Sequence, residues 1–293
     1  MGSMAYTSGD VIDGRYEIRG VIGKGAHGVV YEAKDQRLGS QVAVKCLHGD
    51  VASEPGFKTR MAREARAMGA LSGTAAAQVL AFGKTDDGGM FIAMELVRGR
   101  DFEAYLREIE HHGGTLGVPK LVELLGPIVD TLEAAHAISI LHRDLKPGNI
   151  MVLDAPGRGP VRLLDFGLAK DLKADPLTAD GMIAGSPAYM APEVWRGKPD
   201  LLDHRIDVYS FGAIVFRALA GSPPFDPRLP IDKILIAVLR GARPSLVARR
   251  PDLPAAVDAW VNKALAIKPE DRFQTPRELW SAFLGVMRVE LGR

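Results

Sequence analysis

The segment from Leu141 to Phe166 constrains the fold of this chain more than any other. It reads Leu-His-Arg-Asp-Leu-Lys-Pro-Gly-Asn over 141–149, followed by two short apolar runs, Ile150–Leu153 and Val161–Leu164, around a turn rich in glycine and proline. This pattern predicts a β-hairpin, because Gly and Pro supply the backbone angles that a chain reversal needs. A hairpin brings its two ends together, so the polar groups that flank it are expected to meet.

Three polar side chains flank this predicted hairpin. Asp144 and Asn149 precede its first strand, and Asp165 follows its second. Oxygen-bearing side chains gathered in this way suit a hard cation such as Mg²⁺, which completes its shell with water and phosphate oxygens. We therefore expect a phosphorylated ligand here. The plain alternative is a hairpin whose Asp and Asn residues only serve turns.

The same segment resembles the catalytic and metal-binding loops of eukaryotic-type, bacterial Ser/Thr protein kinases. The shared motifs are His-Arg-Asp-Leu-Lys-Pro-x-Asn at 142–149 and Asp-Phe-Gly at 165–167. Further motifs extend the resemblance from about Tyr16 to Leu291. The resemblance implies an α+β, two-lobed protein kinase fold, with a small antiparallel β lobe that carries one helix and a larger, mainly helical lobe.

A glycine-rich turn lies between the first two predicted strands of the small lobe. Strands are predicted over Tyr16–Gly23, Gly28–Asp35 and Gln41–Leu47. Glycines spaced as in Gly23-Lys-Gly-Ala-His-Gly28 let backbone N–H groups meet a polyphosphate. A dinucleotide-binding loop has the same spacing but runs into a helix, whereas Val29-Val-Tyr31 continues as a strand. The sequence therefore favours the kinase form of the loop.

Lys45 ends Val-Ala-Val-Lys, which resembles the kinase strand whose lysine holds the α- and β-phosphates. By default, a lone lysine in an apolar strand is an edge residue with its amine in water. The kinase interpretation also requires a carboxylate on a following helix. Phe57–Leu71 is predicted as that helix, and Glu64 is its one acid. The resemblance implies a Lys45–Glu64 ion pair in the active state, and the alternative for Glu64 is a solvated helix face.

The resemblance also implies a nucleotide-binding set that spans both lobes. Its members are Ile22, Gly23, Gly25, Gly28, Val30, Ala43, Lys45, Met94, Glu95, Val97, Asp101 and Met151. Val30 and Ala43 would form the roof over the adenine, and Met151 its floor. Each of these apolar positions would also suit a core that binds no nucleotide.

Four other members of that set would contact the base and the ribose. Met94 would limit the depth of the adenine pocket. Glu95 and Val97 would offer a backbone C=O and N–H to the base, and Asp101 would contact the ribose. These assignments rest wholly on the resemblance.

The catalytic residues implied by the resemblance are Asp144, Lys146, Asn149 and Asp165, with Lys45 and Glu64. Asp144 would orient the incoming hydroxyl and accept its proton, and Lys146 would neutralise the migrating phosphoryl group. Asn149 and Asp165 would bind Mg²⁺, for which Mn²⁺ is an alternative. In this family, a lysine at position 146 accompanies Ser/Thr specificity. The expected cofactors are therefore ATP and a divalent cation, and the expected partners are protein substrates.

Regulation is predicted for the segment after the second motif. Arg143, beside the catalytic Asp, suggests control by phosphorylation of this segment. Thr178 is the only hydroxyl side chain between Leu168 and Gly185, and we predict it as the autophosphorylation site. The alternative is a threonine in a solvated loop. Ser186 resembles the residue that bridges Asp144 and Lys146.

The large lobe is predicted to be a set of helices closed by one ion pair. The helix Val118–His136 has a buried stripe of five residues, Leu121, Leu124, Leu125, Ile128 and Leu132. Ala-Pro-Glu193 resembles the anchor of the kinase family, where this glutamate pairs with an arginine that corresponds to Arg272. Residues 1–13 are predicted as a leader that begins with a cloning scar, 14–97 as the small lobe and hinge, and 98–293 as the large lobe.

Composition narrows the remaining choices. A formal net charge of +1 provides no global field for nucleic acid or anionic lipid, so neither is expected as a partner. The longest apolar run, Val208–Phe216, ends at Arg217 and is too short to span a bilayer. A single cysteine, Cys46, favours a reducing compartment. The predicted location is cytoplasmic, either free or as the cytosolic part of a longer membrane protein.

Two rival functions and one assembly remain open at this stage. The chain can be a pseudokinase that holds partners, or a kinase-like enzyme that phosphorylates a small molecule such as an aminoglycoside. The intact Lys45, Asp144, Asn149 and Asp165 oppose the first, and the Ala-Pro-Glu anchor opposes the second. Family members often form a back-to-back dimer through the small lobe, but no local signal decides this for the present chain.

Overall fold

The computed structural model describes residues 6–25, 28–47, 68–86, 88–155, 159–166, 186–197 and 202–288. The chain divides into two compact units between Arg98 and Gly99. The helix predicted over Phe57–Leu71 lies outside the described residues up to residue 67. Its last three residues, Gly69–Leu71, form a short 3-10 turn. No helix within the described ranges is both long enough and apolar enough to cross a membrane.

The first unit contains a six-stranded antiparallel sheet. Its strands are β1 (Val11–Ile12), β2 (Tyr16–Gly25), β3 (Gly28–Asp35), β4 (Gln41–Leu47), β5 (Val79–Lys84) and β6 (Met90–Glu95), in the order β1-β2-β3-β4-β6-β5. Each pair of neighbours is antiparallel. The three strands predicted at the start of this unit are confirmed, with β2 two residues longer than predicted.

Alternating side chains of this sheet form its core. On β3, Tyr31 and Ala33 are buried, and on β4 the buried residues include Val42 and Val44. Successive residues of a strand point to opposite faces, so a period of two places all of these side chains on one face. The core continues through Tyr16 and Ile18 of β2 and Phe91 and Ala93 of β6. This alternation explains why the sequence forms strands here.

Residues 6–12 pack on this sheet, although they belong to the predicted leader. Ile12 is fully buried, and β1 pairs with the start of β2. The ring of Tyr6 meets the edge of Tyr31 at a centroid distance of 5.9 Å. Two residues are too few to show a strand period, so this short strand had no sequence signal.

The second unit combines a small sheet with helices. Its strands are β7 (Gly99–Asp101), β8 (Ile150–Leu153) and β9 (Val161–Leu163), in that order. Its helices are α1 (Phe102–His111), α2 (Val118–Ala137), α3 (Pro192–Trp195), α4 (Arg205–Ala220), α5 (Ile231–Arg240), α6 (Val257–Ala264) and α7 (Pro276–Met287). The predicted hairpin is confirmed, because Ile150 of β8 pairs with Leu163 of β9 in antiparallel register.

Helices α2 and α4 form the centre of this unit. The five residues predicted as the buried stripe of α2 are all fully buried. Helix α4 is buried on every side from Ile206 to Leu219 and packs against α2, α6 and α7. A helix that is enclosed on all sides tolerates apolar residues around its whole circumference, which accounts for the long apolar run in the sequence.

The predicted Glu193–Arg272 pair is present and buried. The Arg272 Nη1 and Nη2 atoms donate to the two carboxylate oxygens of Glu193 at 2.7 and 2.6 Å. The same guanidinium also donates to the backbone carbonyls of Arg205, Ala266 and Ile267. A buried ion pair is tolerated when each N–H donor of the cation has an acceptor, as it has here. This pair connects the start of α3 to the segment before α7.

Candidate active site

The open end of the β8–β9 hairpin is closed by two further hydrogen bonds. The Leu164 N–H donates to the Asn149 carbonyl at 2.8 Å, which continues the pairing one step beyond the strands. The His142 Nε2–H donates to the Leu164 carbonyl at 2.9 Å. The loop before β8 and the residues after β9 are therefore tied together, and Asp165 follows directly.

Asp144, Lys146 and Asn149 form one hydrogen-bonded group at this end. The Lys146 Nζ donates to Asp144 Oδ2 at 2.8 Å. The Asn149 Nδ2 donates to the Asp144 carbonyl at 2.8 Å and to its Oδ2 at 3.2 Å. Lys146 and Asp144 are partly exposed, with 28% and 17% of their side chains accessible. This geometry leaves the carboxylate of Asp144 oriented by two donors and still open to solvent.

Asn149 and Asp165 have donor atoms that fit a divalent cation. Both Asn149 Nδ2 hydrogen bonds go to Asp144, so Oδ1 is the atom of that amide that remains for a cation. Asp165 has a positive φ of 52°, an uncommon conformation for a residue with a side chain. Within the described ranges, no cluster of three or more His, Cys, Asp or Glu residues could hold a metal. An amide oxygen and one carboxylate suit Mg²⁺, which retains several waters and phosphate ligands.

His142 stands behind the site as a buried neutral imidazole. Its Nδ1 accepts the Asp144 backbone N–H at 3.3 Å, while Nε2–H donates to the Leu164 carbonyl. Burial lowers the pKa of His142 and outweighs the nearby carboxylates, which favour the charged form. The ring of Phe166 packs at 4.8 Å from the imidazole. One side chain therefore fixes both the loop before β8 and the turn after β9.

Asp207 of α4 fixes the backbone of the loop before β8, a contact that the sequence did not indicate. Its Oδ2 accepts the His142 N–H at 2.8 Å, and its Oδ1 accepts the Arg143 N–H at 2.9 Å. His136 donates from Nε2 to Oδ2 at 2.9 Å. Burial on its own raises the pKa of Asp207, but these hydrogen bonds and the histidines outweigh it and lower the pKa. Sixty-four residues separate Asp207 from Arg143, so no local pattern could have identified this contact.

Arg143 adopts a positive φ of 64°, which turns the loop between His142 and Asp144. Non-glycine residues rarely take this conformation, and the two backbone bonds to Asp207 hold it in place. Ser186 lies at the start of a short 3-10 turn, Pro187–Tyr189. The bridge from the Ser186 hydroxyl to Asp144 and Lys146 stays a prediction. Glu64 and Thr178 lie outside the described residues.

In the first unit, the glycine-rich segment spans the end of β2 and the start of β3, and residues 26 and 27 lie outside the described ranges. Gly23 pairs with Val30, and Gly25 pairs with Gly28. Gly28 has φ of 156°, and a Cβ there would lie 2.1 Å from the Cys46 carbonyl oxygen. Among the described residues, the nearest atom to a Cβ on Gly25 would be the Gly28 carbonyl oxygen, at 4.0 Å. Gly28 is therefore required by the sheet, whereas the described residues leave room for a Cβ at Gly25.

Strand register places four of the other proposed nucleotide residues of this unit in neighbouring pairs. Lys45 pairs with Val30 on one side and with Ile92 on the other. Ala43 pairs with Met94 on the next strand. Lys45 is partly exposed, whereas Ala43 is buried. Ile22, near the turn, has 49% of its surface accessible, which is high for a large apolar side chain.

The second unit pairs Asp101 with Met151 across β7 and β8. Asp101 is also the N-cap of α1, because its Oδ1 accepts the Ala104 N–H at 2.8 Å. Gly99, two residues earlier, has φ of 154°, and a Cβ there would lie 2.1 Å from the Val152 carbonyl oxygen. The sheet therefore fixes the backbone at this point, and the cap fixes one oxygen of Asp101.

Comparison with known proteins identifies the family of this chain. A family model described as "Protein kinase domain" matches residues 16–283. The chain belongs to the protein kinase family. Membership implies the use of ATP and a divalent metal ion in general. It also places the His-Arg-Asp and Asp-Phe-Gly segments within the matched range of this kinase domain.

Curated relatives and solved structures agree with this assignment. "Probable serine/threonine-protein kinase PknB" of Corynebacterium glutamicum is 35% identical over 97% of this chain and 42% of its own length. "Serine/threonine-protein kinase PknH" of Mycobacterium bovis is 35% identical over 91% of this chain and 43% of its own length. The chain therefore spans less than half of either relative. The crystal structure of the Mycobacterium tuberculosis PknI kinase domain matches with a TM-score of 0.74 and 29% identity, over 96% of this chain and 99% of that one.

Proposed function

We propose that this kinase domain transfers the γ-phosphate of ATP to Ser and Thr hydroxyls of proteins, including its own, in bacterial signalling. The observation that supports this most directly is the group formed by Asp144, Lys146 and Asn149 beside Asp165. Phosphoryl transfer requires little covalent chemistry from the protein, so the protein contributes mainly alignment of the reactants and neutralisation of charge. This group offers a base, a cation and metal-binding oxygens on one rigid hairpin end.

Asp144 is proposed as the residue that orients the acceptor hydroxyl and takes its proton. Its carboxylate is held by Lys146 and Asn149 and remains partly exposed, as a base that meets a protein substrate must be. A general base of this kind contributes about 10²–10⁴-fold. Lys146 is proposed to neutralise the transferring phosphoryl group, and losing such a preorganised group costs about 3–4 kcal/mol of barrier.

Asn149, through Oδ1, and Asp165 would hold Mg²⁺, with Mn²⁺ as the alternative. When bound, the ion neutralises charge on the phosphate oxygens. The chain itself fixes the two donor residues. Asn149 is held by its bonds to Asp144, and Asp165 follows the Leu164 N–H bond that ties the open end of the β8–β9 hairpin. The donor chemistry supports this assignment, because both ligands are hard oxygens.

The remaining site assignments extend the same proposal. The proposed nucleotide-binding set is the one predicted from the sequence, from Ile22 to Met151, with Lys45 and Glu64 as the pair that holds the phosphates. Thr178 is proposed as the autophosphorylation site, with Arg143 and Ser186 as regulatory residues. The lobe limits are proposed as 14–97 and 98–293. A back-to-back dimer and a cytoplasmic location are proposed as well, the latter because the sequence has a single cysteine and therefore no internal disulfide.

The test is incorporation of ³²P from labelled ATP with Mg²⁺ into the protein itself and into a Ser/Thr-rich acceptor such as casein. The wild-type chain is expected to label both on Ser or Thr, while Asp144→Asn and Lys45→Met reduce labelling to background. Nucleotide binding without any labelling would favour a pseudokinase. Labelling of an aminoglycoside but of no protein would favour a small-molecule phosphotransferase.

A further inference from the structure

Arg217 of α4 forms a buried ion cluster with two glutamates outside the candidate active site. Its Nε and Nη2 donate to the two carboxylate oxygens of Glu103 at 3.2 and 2.9 Å. Its Nη1 and Nη2 donate to the carboxylate of Glu110 at 2.5 and 3.2 Å. Only 3% of the Arg217 side chain is accessible, against 24% for Glu103 and 28% for Glu110. One buried cation thus serves two carboxylates.

The two carboxylates lie at opposite ends of α1. Glu103 is in its first turn and Glu110 in its last, seven residues apart, which places them on one face of the helix. A guanidinium that binds both fixes the position of α1 along its axis and its rotation about that axis. Burial alone lowers the pKa of Arg217, but the hydrogen bonds to Glu110 and Glu103 outweigh it and raise the pKa. The guanidinium therefore stays charged.

Helix α1 in turn carries Asp101 at its N-terminus. Asp101 Oδ1 is engaged as the N-cap, so the direction of the remaining oxygen is set by the first turn of α1. The other end of α4 bears Asp207, which holds the backbone of His142 and Arg143. Helix α4 therefore supports both the catalytic loop and the helix that begins at Asp101.

We propose that Arg217 is a positioning residue for ribose recognition, acting through α1 on Asp101. This rests on the proposed function, in which Asp101 contacts the ribose. The side chains Phe102 and Leu106 of α1 are buried independently of the cluster. Replacing Arg217 is therefore expected to shift α1 rather than to unfold it.

The test compares Arg217→Met with wild type in steady-state kinetics that use ATP and 2′,3′-dideoxy-ATP. Arg217→Met is expected to raise the KM for ATP about tenfold, as for a weakened hydrogen bond to a charged group, with kcat and the KM for the protein acceptor unchanged. With dideoxy-ATP, which lacks the hydroxyls that Asp101 would bind, the two proteins should show the same KM. Arg228→Met, which breaks an exposed Arg–Asp pair in the same unit, is the matched control and should resemble wild type with both nucleotides.

A second variant separates positioning from stability. Arg217→Met removes this cation from Glu110 and leaves Glu103 with Arg107 alone, so it is expected to lower the Tm. The triple variant Arg217→Met, Glu103→Gln and Glu110→Gln removes the charges together, so it should recover Tm while the KM for ATP stays raised. Recovery of both quantities would show that Arg217 acts only on stability, and a change in the acceptor KM alone would place its effect at the protein substrate. Either result overturns the proposal. Absence of wild-type labelling would instead refute the proposed function.

Discussion

Two hairpins of this protein use opposite ends for their proposed functions. The β2–β3 hairpin offers its glycine-rich end, where the nearest described atom to a Cβ on Gly25 lies 4.0 Å away. The β8–β9 hairpin offers its open end, where Asp144 and Asn149 meet the residues after β9. A tight turn presents backbone N–H groups, whereas the ends of two strands present side chains from distant parts of the chain. Polyphosphate binding needs the first, and proton transfer with metal binding needs the second.

The two hairpins also differ in what holds them. The β2–β3 hairpin is fixed by strand pairing and by the buried residues on one face of its sheet. The open end of β8–β9 depends on hydrogen bonds from outside the hairpin, above all those that involve His142 and Asp207. Substitutions should therefore affect the two hairpins differently. At the open end of β8–β9 they should change activity more than stability, whereas in β2–β3 a single added Cβ should change stability.

The largest effect is expected at the open end of β8–β9. Asn149→Ala removes Oδ1, which we propose as a metal ligand, and the two bonds that orient Asp144. We expect kcat to fall about 10²–10³-fold, as for loss of a preorganised polar group. Because Asn149 is buried, the free energy of unfolding should also fall, by about 1–3 kcal/mol. Phosphorylation kinetics and urea unfolding measure the two quantities.

Asn262→Ala is the matched control for this prediction. The Asn262 side chain also donates from Nδ2 to an aspartate backbone carbonyl, that of Asp258, at 2.8 Å, but it is exposed on α6. Its replacement should leave kcat unchanged. If Asn149→Ala kept wild-type kcat, the open end of this hairpin would not be the reaction site, and the contrast between the two hairpins would fail.

A smaller effect is expected in the turn region of β2–β3. Gly28→Ala places a Cβ against the Cys46 carbonyl in a backbone conformation that side chains rarely adopt. We expect the free energy of unfolding to fall by about 1–3 kcal/mol. Gly25→Ala has space for its Cβ among the described residues, so it should fold as wild type and raise the KM for ATP instead. Thermal unfolding and ATP titration compare the pair, and equal stability losses in both variants would contradict the distinction.

Much of this fold was predictable from the sequence because its signals are local. Alternating apolar residues and glycine-rich turns specify the strands β2–β4 and the β8–β9 hairpin within short windows. The stripe of α2 follows from a period of 3.6. The Glu193–Arg272 pair was predicted only through the family resemblance, since 79 residues separate the two side chains.

The contacts that were not predicted join residues far apart in the chain. Asp207 bonds to the backbone of residues 142 and 143, and Arg217 bonds to Glu103 across 114 residues. Neither residue differs locally from an ordinary charge at the edge of an apolar run. Such contacts depend on how helices pack, and the sequence of one helix does not specify which neighbour it meets.

The smallest expected effect is a dependence of stability on pH that distinguishes the two hairpins. Burial lowers the pKa of His142 below its ordinary value of 6.5 in the folded protein. The unfolded chain then binds a proton that the folded chain does not, so stability is full above about pH 6.5 and declines as the pH falls below it. Asp207 contributes separately and at lower pH, because its pKa is lowered from 3.8.

Between pH 7.5 and 5.5 the Tm should fall with acidification, and His142→Asn should flatten this slope. Hydrogen exchange followed over the same range should show β8–β9 losing protection before β2–β3. An unchanged slope in His142→Asn would show that this buried imidazole does not control the open end of the hairpin.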